Sequence, residues 1–179
     1  SGVSGGSLMN VSYLTVAGAH SGQGTFTQTD GSTSVNNTLR VGNGFASQGR
    51  FELDGGSVTV GGTLQLGAYD SSQSVFVQSD GTLSISGSLY VGYQYNVEAE
   101  FSLSGGTVTI GDGLYVGLYG DGVFRQSDGS VTADEVMVFS GDRYELTGGS
   151  LTIHDRFNVS GGVLDFGGGN ATVEVNDEA

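Results

Sequence analysis

The stretch GRFELDGGSVTVGGTLQLG, from Gly49 to Gly67, decides the fold. Its apolar residues alternate with polar ones: Phe51 and Leu53, Val58 and Val60, Leu64 and Leu66. A period of two places successive side chains on opposite faces, which is strand behaviour and not helical behaviour. The three pairs read as three short strands, Arg50–Leu53, Ser57–Val60 and Thr63–Leu66, separated by Gly-rich corners. Glycine at such corners supplies the positive φ that tight turns demand.

The same text recurs along the chain. An aromatic stands at Phe26, Phe51, Phe76, Phe101, Phe124 and Tyr144, at spacings of 25, 25, 25, 23 and 20. Glycine follows five residues later each time, from Gly31 and Gly56 to Gly129 and Gly149. Gly42, Gly67, Gly92 and Gly117 close four consecutive units. The first unit is expected to fit with Ser1 in the aromatic slot and Gly6, Leu8, Leu14 and Val16 in register. A last, partial unit carries Leu164, Phe166, Gly169, Ala171 and Val173. Repetition of this length predicts an all-β, single-domain parallel β-solenoid spanning 1–179. The expected object is a β-helix of right-handed winding with about seven coils of 20–25 residues and three short strands per coil.

Gly49 to Gly67 resembles the Gly-rich β-strand repeats of bacterial autotransporter passengers and large repeat-containing surface proteins. That resemblance implies a secreted bacterial protein at the cell surface with a structural or adhesive role. It implies no catalytic residue.

Every second unit differs. Gln28, Gln78 and Gln126, followed by Asp30, Asp80 and Asp128, alternate with Leu53, Leu103 and Leu146, followed by Gly55, Gly105 and Gly148. Like charges one coil apart would stack at about 4.8 Å, and alternation doubles that distance. Inheritance from a two-coil duplication explains the same pattern. Each Gln is expected to cap backbone groups at its own corner or the next.

Composition narrows function. The 179 residues include 34 Gly but no Cys, Pro, Trp or Lys, and five Arg face 19 acids for a net charge of −14. That balance argues against phosphate-bearing partners such as nucleic acid or an anionic membrane, and no apolar run approaches the roughly 20 residues of a membrane span, so neither nucleic-acid binding nor membrane insertion is expected. Without Cys or Lys there is no thiolate metal site, catalytic thiol or phosphate loop. The Asp residues do not converge as calcium requires, so no metal or cofactor is expected. Asp112, Asp121, Asp142, Asp177 and Glu178 read as solvated loop charges. His20 and His154 lie many coils apart and form no dyad. Glu98 with Glu100, and Asp134 with Glu135, are the nearest carboxylate clusters, without the flanking residues of a sugar cleft, so an enzyme is not expected.

Two surfaces stand out. Outward Ser/Thr pairs on the second strand, such as Thr82 with Ser84 and Thr107 with Thr109, resemble the ladder of solenoid ice-binding proteins, although Ser interrupts the methyl array. Tyr90 and Tyr115 are expected to stack, while Phe45, Tyr69, Tyr93, Tyr95 and Tyr119 decorate the loop after the closing glycine. This aromatic edge is the candidate contact surface, for a glycan or another copy, with local packing over the corner as the plain alternative. Neither terminus carries a helical cap, so the chain is expected either to be part of a longer array or to stack head to tail into an extracellular filament.

Overall fold

Alternation sends Phe51 and Leu53 inward, and their neighbours Arg50 and Glu52 outward, so each strand can be covered on one face by its own coil. The computed structural model describes residues 2–3 and 8–176 and places nineteen strands there, with no helix. All strand pairs are parallel, each between one coil and the next. One sheet runs through Gly2–Val3, Gln23–Gln28, Gln48–Leu53, Gln73–Gln78, Glu98–Leu103, Asp121–Gln126, Arg143–Leu146 and Val163–Asp165. The second carries the other two sides of every coil, from Leu8–Val16 to Asn170–Val175. The protein is a β-solenoid of about seven turns.

The aromatic slots form one interior column. Phe26, Phe51, Phe76, Phe101, Phe124 and Tyr144 lie 4.7–4.8 Å apart, ring centroid to ring centroid. The planes between Phe51 and Phe124 differ by only 4°. These spacings are the inter-strand distance itself, so the coil rise stacks the rings in offset contact. Val58, Leu83, Val108 and Val131 line the second side and Leu64, Leu89, Leu114 and Val136 the third, all buried. Close coil contact also explains the corner glycines: a Cβ on Gly56, which has φ +75°, would lie 2.3 Å from the Gly31 carbonyl of the coil below.

Three expectations change in detail. Three separate strands per coil hold only in the middle: Gln48–Leu53, Ser57–Val60 and Leu64–Leu66 make one such coil. Where the Gly61–Gly62 corner is replaced by Asn36 and Asn37, or by Asp134 and Glu135, the second and third sides join into one bent strand, Ser32–Val41 or Ser130–Val138. Glycine breaks the strand there; Asn, Asp and Glu let it continue.

In the first coil Leu8 pairs with Ser32, not with the core position Thr33. Met9 and Val11 take the inward places instead, which keeps Asn10 out of the core, and an irregularity between Val11 and Tyr13 restores Leu14 and Val16 to register. Ser1 and Gly6 lie outside the described residues.

In the last coil Ala171, and not Gly169, faces Gly149. Two extra residues are accommodated in a turn at Gly167 and Gly168, both of positive φ. A shift of two preserves the side-chain alternation, so Ala171 and Val173 still pack on the core. Phe166 falls just beyond its strand, Val163–Asp165, and is exposed.

Candidate functional site

The interior corners are built as the alternation suggests. Gln28, buried among apolar neighbours, donates from Nε2 to its own corner carbonyl at Gly31 (3.2 Å) and to Ser57 of the next coil (2.9 Å). Gln78 repeats this with Gly81 and Thr107, and Gln126 with Gly129 and Ser150. One amide thus stitches two coils, and the Leu coil between needs no amide of its own. Asp30, Asp80 and Asp128 each accept the following glycine's N–H at 2.7 Å, so they are corner caps. At the alternate coils Gly55, Gly105 and Gly148 are forced, since a Cβ there would meet a backbone oxygen of the coil below at 2.2–2.5 Å.

The aromatic edge separates into three groups. Tyr90 and Tyr115 stack at 5.2 Å and 15°, as expected, with Tyr93 edge-on to Tyr90 at 5.0 Å. The Tyr115 ring lies over Gly113, where a Cβ would collide with it. Partial burial, aided by the charges of Glu135 and Asp112, raises the Tyr115 phenol above its ordinary pKa. Tyr95 and Tyr119 lie 5.1 Å apart, and Phe45 stacks on His20 at 5.2 Å. Tyr69 is exposed with no ring partner among the described residues. Five of the eight tyrosines therefore belong to the coil of Phe76 and the coil of Phe101, in two sets, Tyr90 with Tyr93 and Tyr115, and Tyr95 with Tyr119.

The Ser/Thr face is continuous. Ser32, Ser57, Thr82, Thr107, Ser130 and Ser150 form one column, and Ser34, Thr59, Ser84, Thr109, Thr132 and Thr152 the other. The next coil ends the second column with Glu174. Ser and Thr mix in both.

On the first sheet an amide ladder appears that sequence reading overlooked. Gln23 donates to Gln48 (3.0 Å), Gln48 to Gln73 (3.2 Å) and Gln73 to Glu98 (3.1 Å). Identical amides one coil apart pair in this way because the coil rise equals hydrogen-bonding reach. The strict 25-residue spacing of Gln23, Gln48, Gln73 and Glu98 carried the signal.

Beside this ladder Glu98, Glu100 and Asp121 line a shallow depression of about 350 Å³. Glu100 accepts from Ser102 and pairs with Arg125, while Glu98 is held by Gln73. Partial burial opposes the Arg125 charge, but its bond to Glu145 and the charge of Glu100 outweigh that and hold the guanidinium firmly protonated. Asp134 contacts His154 at 3.3 Å, and Glu135 lies 3.9 Å from Arg156. Among the described residues no three acid or imidazole groups converge as a metal ion requires.

Asp142 departs from its reading as a solvated charge. It continues the inward column of Gly49, Ser74, Ala99 and Gly122, and is only 7 % exposed. Its Oδ1 accepts from the Gly122 N–H at 2.7 Å. Burial pushes its carboxyl up, the Asp121 charge adds to this, and the Gly122 bond acts against both. Asp177 and Glu178 lie outside the described residues.

No protein-family model, no curated protein and no solved structure matches this chain.

Proposed function

We propose that the protein is a structural, non-enzymatic element that associates end to end with copies of itself into an extracellular filament or surface stalk. One observation carries this reading: apolar side chains lie exposed at one end of the described solenoid and a hollow with apolar lining opens at the other. Val163–Asp165 and Asn170–Val175 pair backward with Arg143–Leu146 and Gly148–Val159, and Val163, Phe166 and Val175 are each 45–47 % exposed. At the opposite end a hollow of about 480 Å³ is lined by Met9, Leu14, Val16 and Phe26. An unpaired ladder edge over an apolar patch favours strand addition, and a head-to-tail contact of that kind propagates without closing.

The carboxylates offer little to an enzyme, since each cluster is tied to Arg, His, Ser or Gln. A glycan-binding role for the Tyr edge is less favoured: Tyr90 and Tyr115 cover each other's inner faces, leaving fewer ring faces for a sugar to stack on. The secreted, bacterial surface setting follows from the repeat resemblance.

Sedimentation velocity across a concentration series tests the reading. The expected result is a sedimentation coefficient that climbs with concentration and with salt, because screening relieves repulsion between chains of charge −14. Replacing Val163 and Phe166 together by Asp should hold the protein monomeric. A concentration-independent monomer for the unaltered chain overturns it.

A further inference from the structure

A chain without Lys or Cys has no lysine amine for an isopeptide and no thiol for a disulfide, which leaves oxidative coupling of its eight tyrosines as one route to a covalent cross-link. The tyrosines are not scattered. Two ring pairs bridge the coil of Phe76 and the coil of Phe101, Tyr90 with Tyr115 at 5.2 Å and Tyr95 with Tyr119 at 5.1 Å, while Tyr93 lies edge-on to Tyr90 of its own coil at 5.0 Å. Within this cluster Tyr95 and Tyr119 are the open pair: 61 % and 52 % exposed, 5.1 Å apart and tilted by 35°. Tyr90 and Tyr115 are half-buried and stacked, and Tyr115 is pressed against Gly113.

We propose that this cluster is an oxidative modification site, in which Tyr95 and Tyr119 couple to dityrosine and weld one coil to the next. The oxidant is a peroxide acting through a peroxidase. Each phenol surrenders one electron and one proton, and the two phenoxyl radicals join through ring carbons ortho to oxygen. The ring hydrogens at the new bond then move back to oxygen, restoring both aromatic rings. The protein loses two hydrogen atoms, and hydrogen peroxide takes up two electrons and two protons to become two waters. Proximity favours the intramolecular product, because partners already held in place need no encounter between chains. The weld joins residues within one chain and does not depend on end-to-end association.

The test is treatment of the dilute full chain with horseradish peroxidase and hydrogen peroxide. The expected product is a monomer lighter by two hydrogens, with dityrosine fluorescence. A protease cutting after Glu98 and Glu100 should release the Tyr95 and Tyr119 peptides joined. Tyr95→Phe and Tyr119→Phe should each reduce the fluorescence of the monomer to that of untreated protein. Tyr13→Phe and Tyr69→Phe, which remove exposed tyrosines without a ring partner among the described residues, should leave it unchanged. Circular dichroism of each variant verifies the fold. Absence of intramolecular coupling, coupling only between chains, or an undiminished yield in Tyr95→Phe overturns the proposal.

Discussion

Tyr144 donates its phenol hydroxyl to Gln126 Oε1 across 2.7 Å, from one coil to the coil beneath. The equivalent oxygens of Gln28 and Gln78 have no such partner, because Phe51 and Phe101 occupy the corresponding slots. The single tyrosine of the interior column thus completes one Gln corner that the phenylalanines leave half made.

Removing that hydroxyl should be costly. Tyr144→Phe leaves a buried acceptor unpaired, for an expected loss of about 1–3 kcal/mol at neutral pH, read from urea unfolding. Burial also raises the Tyr144 phenol well above its ordinary value. Above pH 10 the unfolded chain therefore releases this proton while the folded chain keeps it, and stability falls as pH rises. The difference between the two proteins should shrink in alkali; an equal alkaline loss in both would refute the assignment.

The column itself carries much of the core. Phe76 is fully buried between Phe51 and Phe101, so Phe76→Ala should destabilise by about 3–5 kcal/mol. A loss below about 1 kcal/mol in the same urea titration would mean that the rings do not pack as one stack.

Asp142 provides a pH-dependent test. A carboxyl raised on folding contributes most below its ordinary pKa near 3.8 and loses that contribution as pH climbs through the raised value. Asp142→Asn keeps an oxygen for the Gly122 N–H but removes the charge. Its Tm should exceed that of the unaltered protein at pH 7, with the gap closing toward pH 4. A lower Tm at pH 7 would show that the carboxylate is a favourable charge.

Ala17 adopts φ +59° at the position that Gly42, Gly67, Gly92 and Gly117 fill in later coils. A Cβ is strained there, so Ala17→Gly should stabilise by about 0.5–1 kcal/mol despite the freer unfolded chain. Thermal unfolding reads this directly; a fall in Tm would contradict it.

What was legible in the sequence follows from how much each feature depends on the coil rise alone. The Phe column, the Gln corner caps and the Tyr90–Tyr115 stack need only a fixed spacing and a strand period, and both are visible in the text. Met9 and Val11 take the inward places of the first coil because a local irregularity shifts its register, and one residue of slip exchanges the two faces of a strand. The buried position of Asp142 was hidden because its column is otherwise small residues, which read as corner and not as core. The amide ladder was visible in its spacing, but polar residues on an outward face carry no hydrophobic pattern to draw notice.

Negative-stain microscopy of the concentrated protein tests the end-to-end claim most directly. The account predicts unbranched filaments of constant width, lost when Val163 and Phe166 are both replaced by Asp. Uniform short particles at every concentration and salt would contradict it.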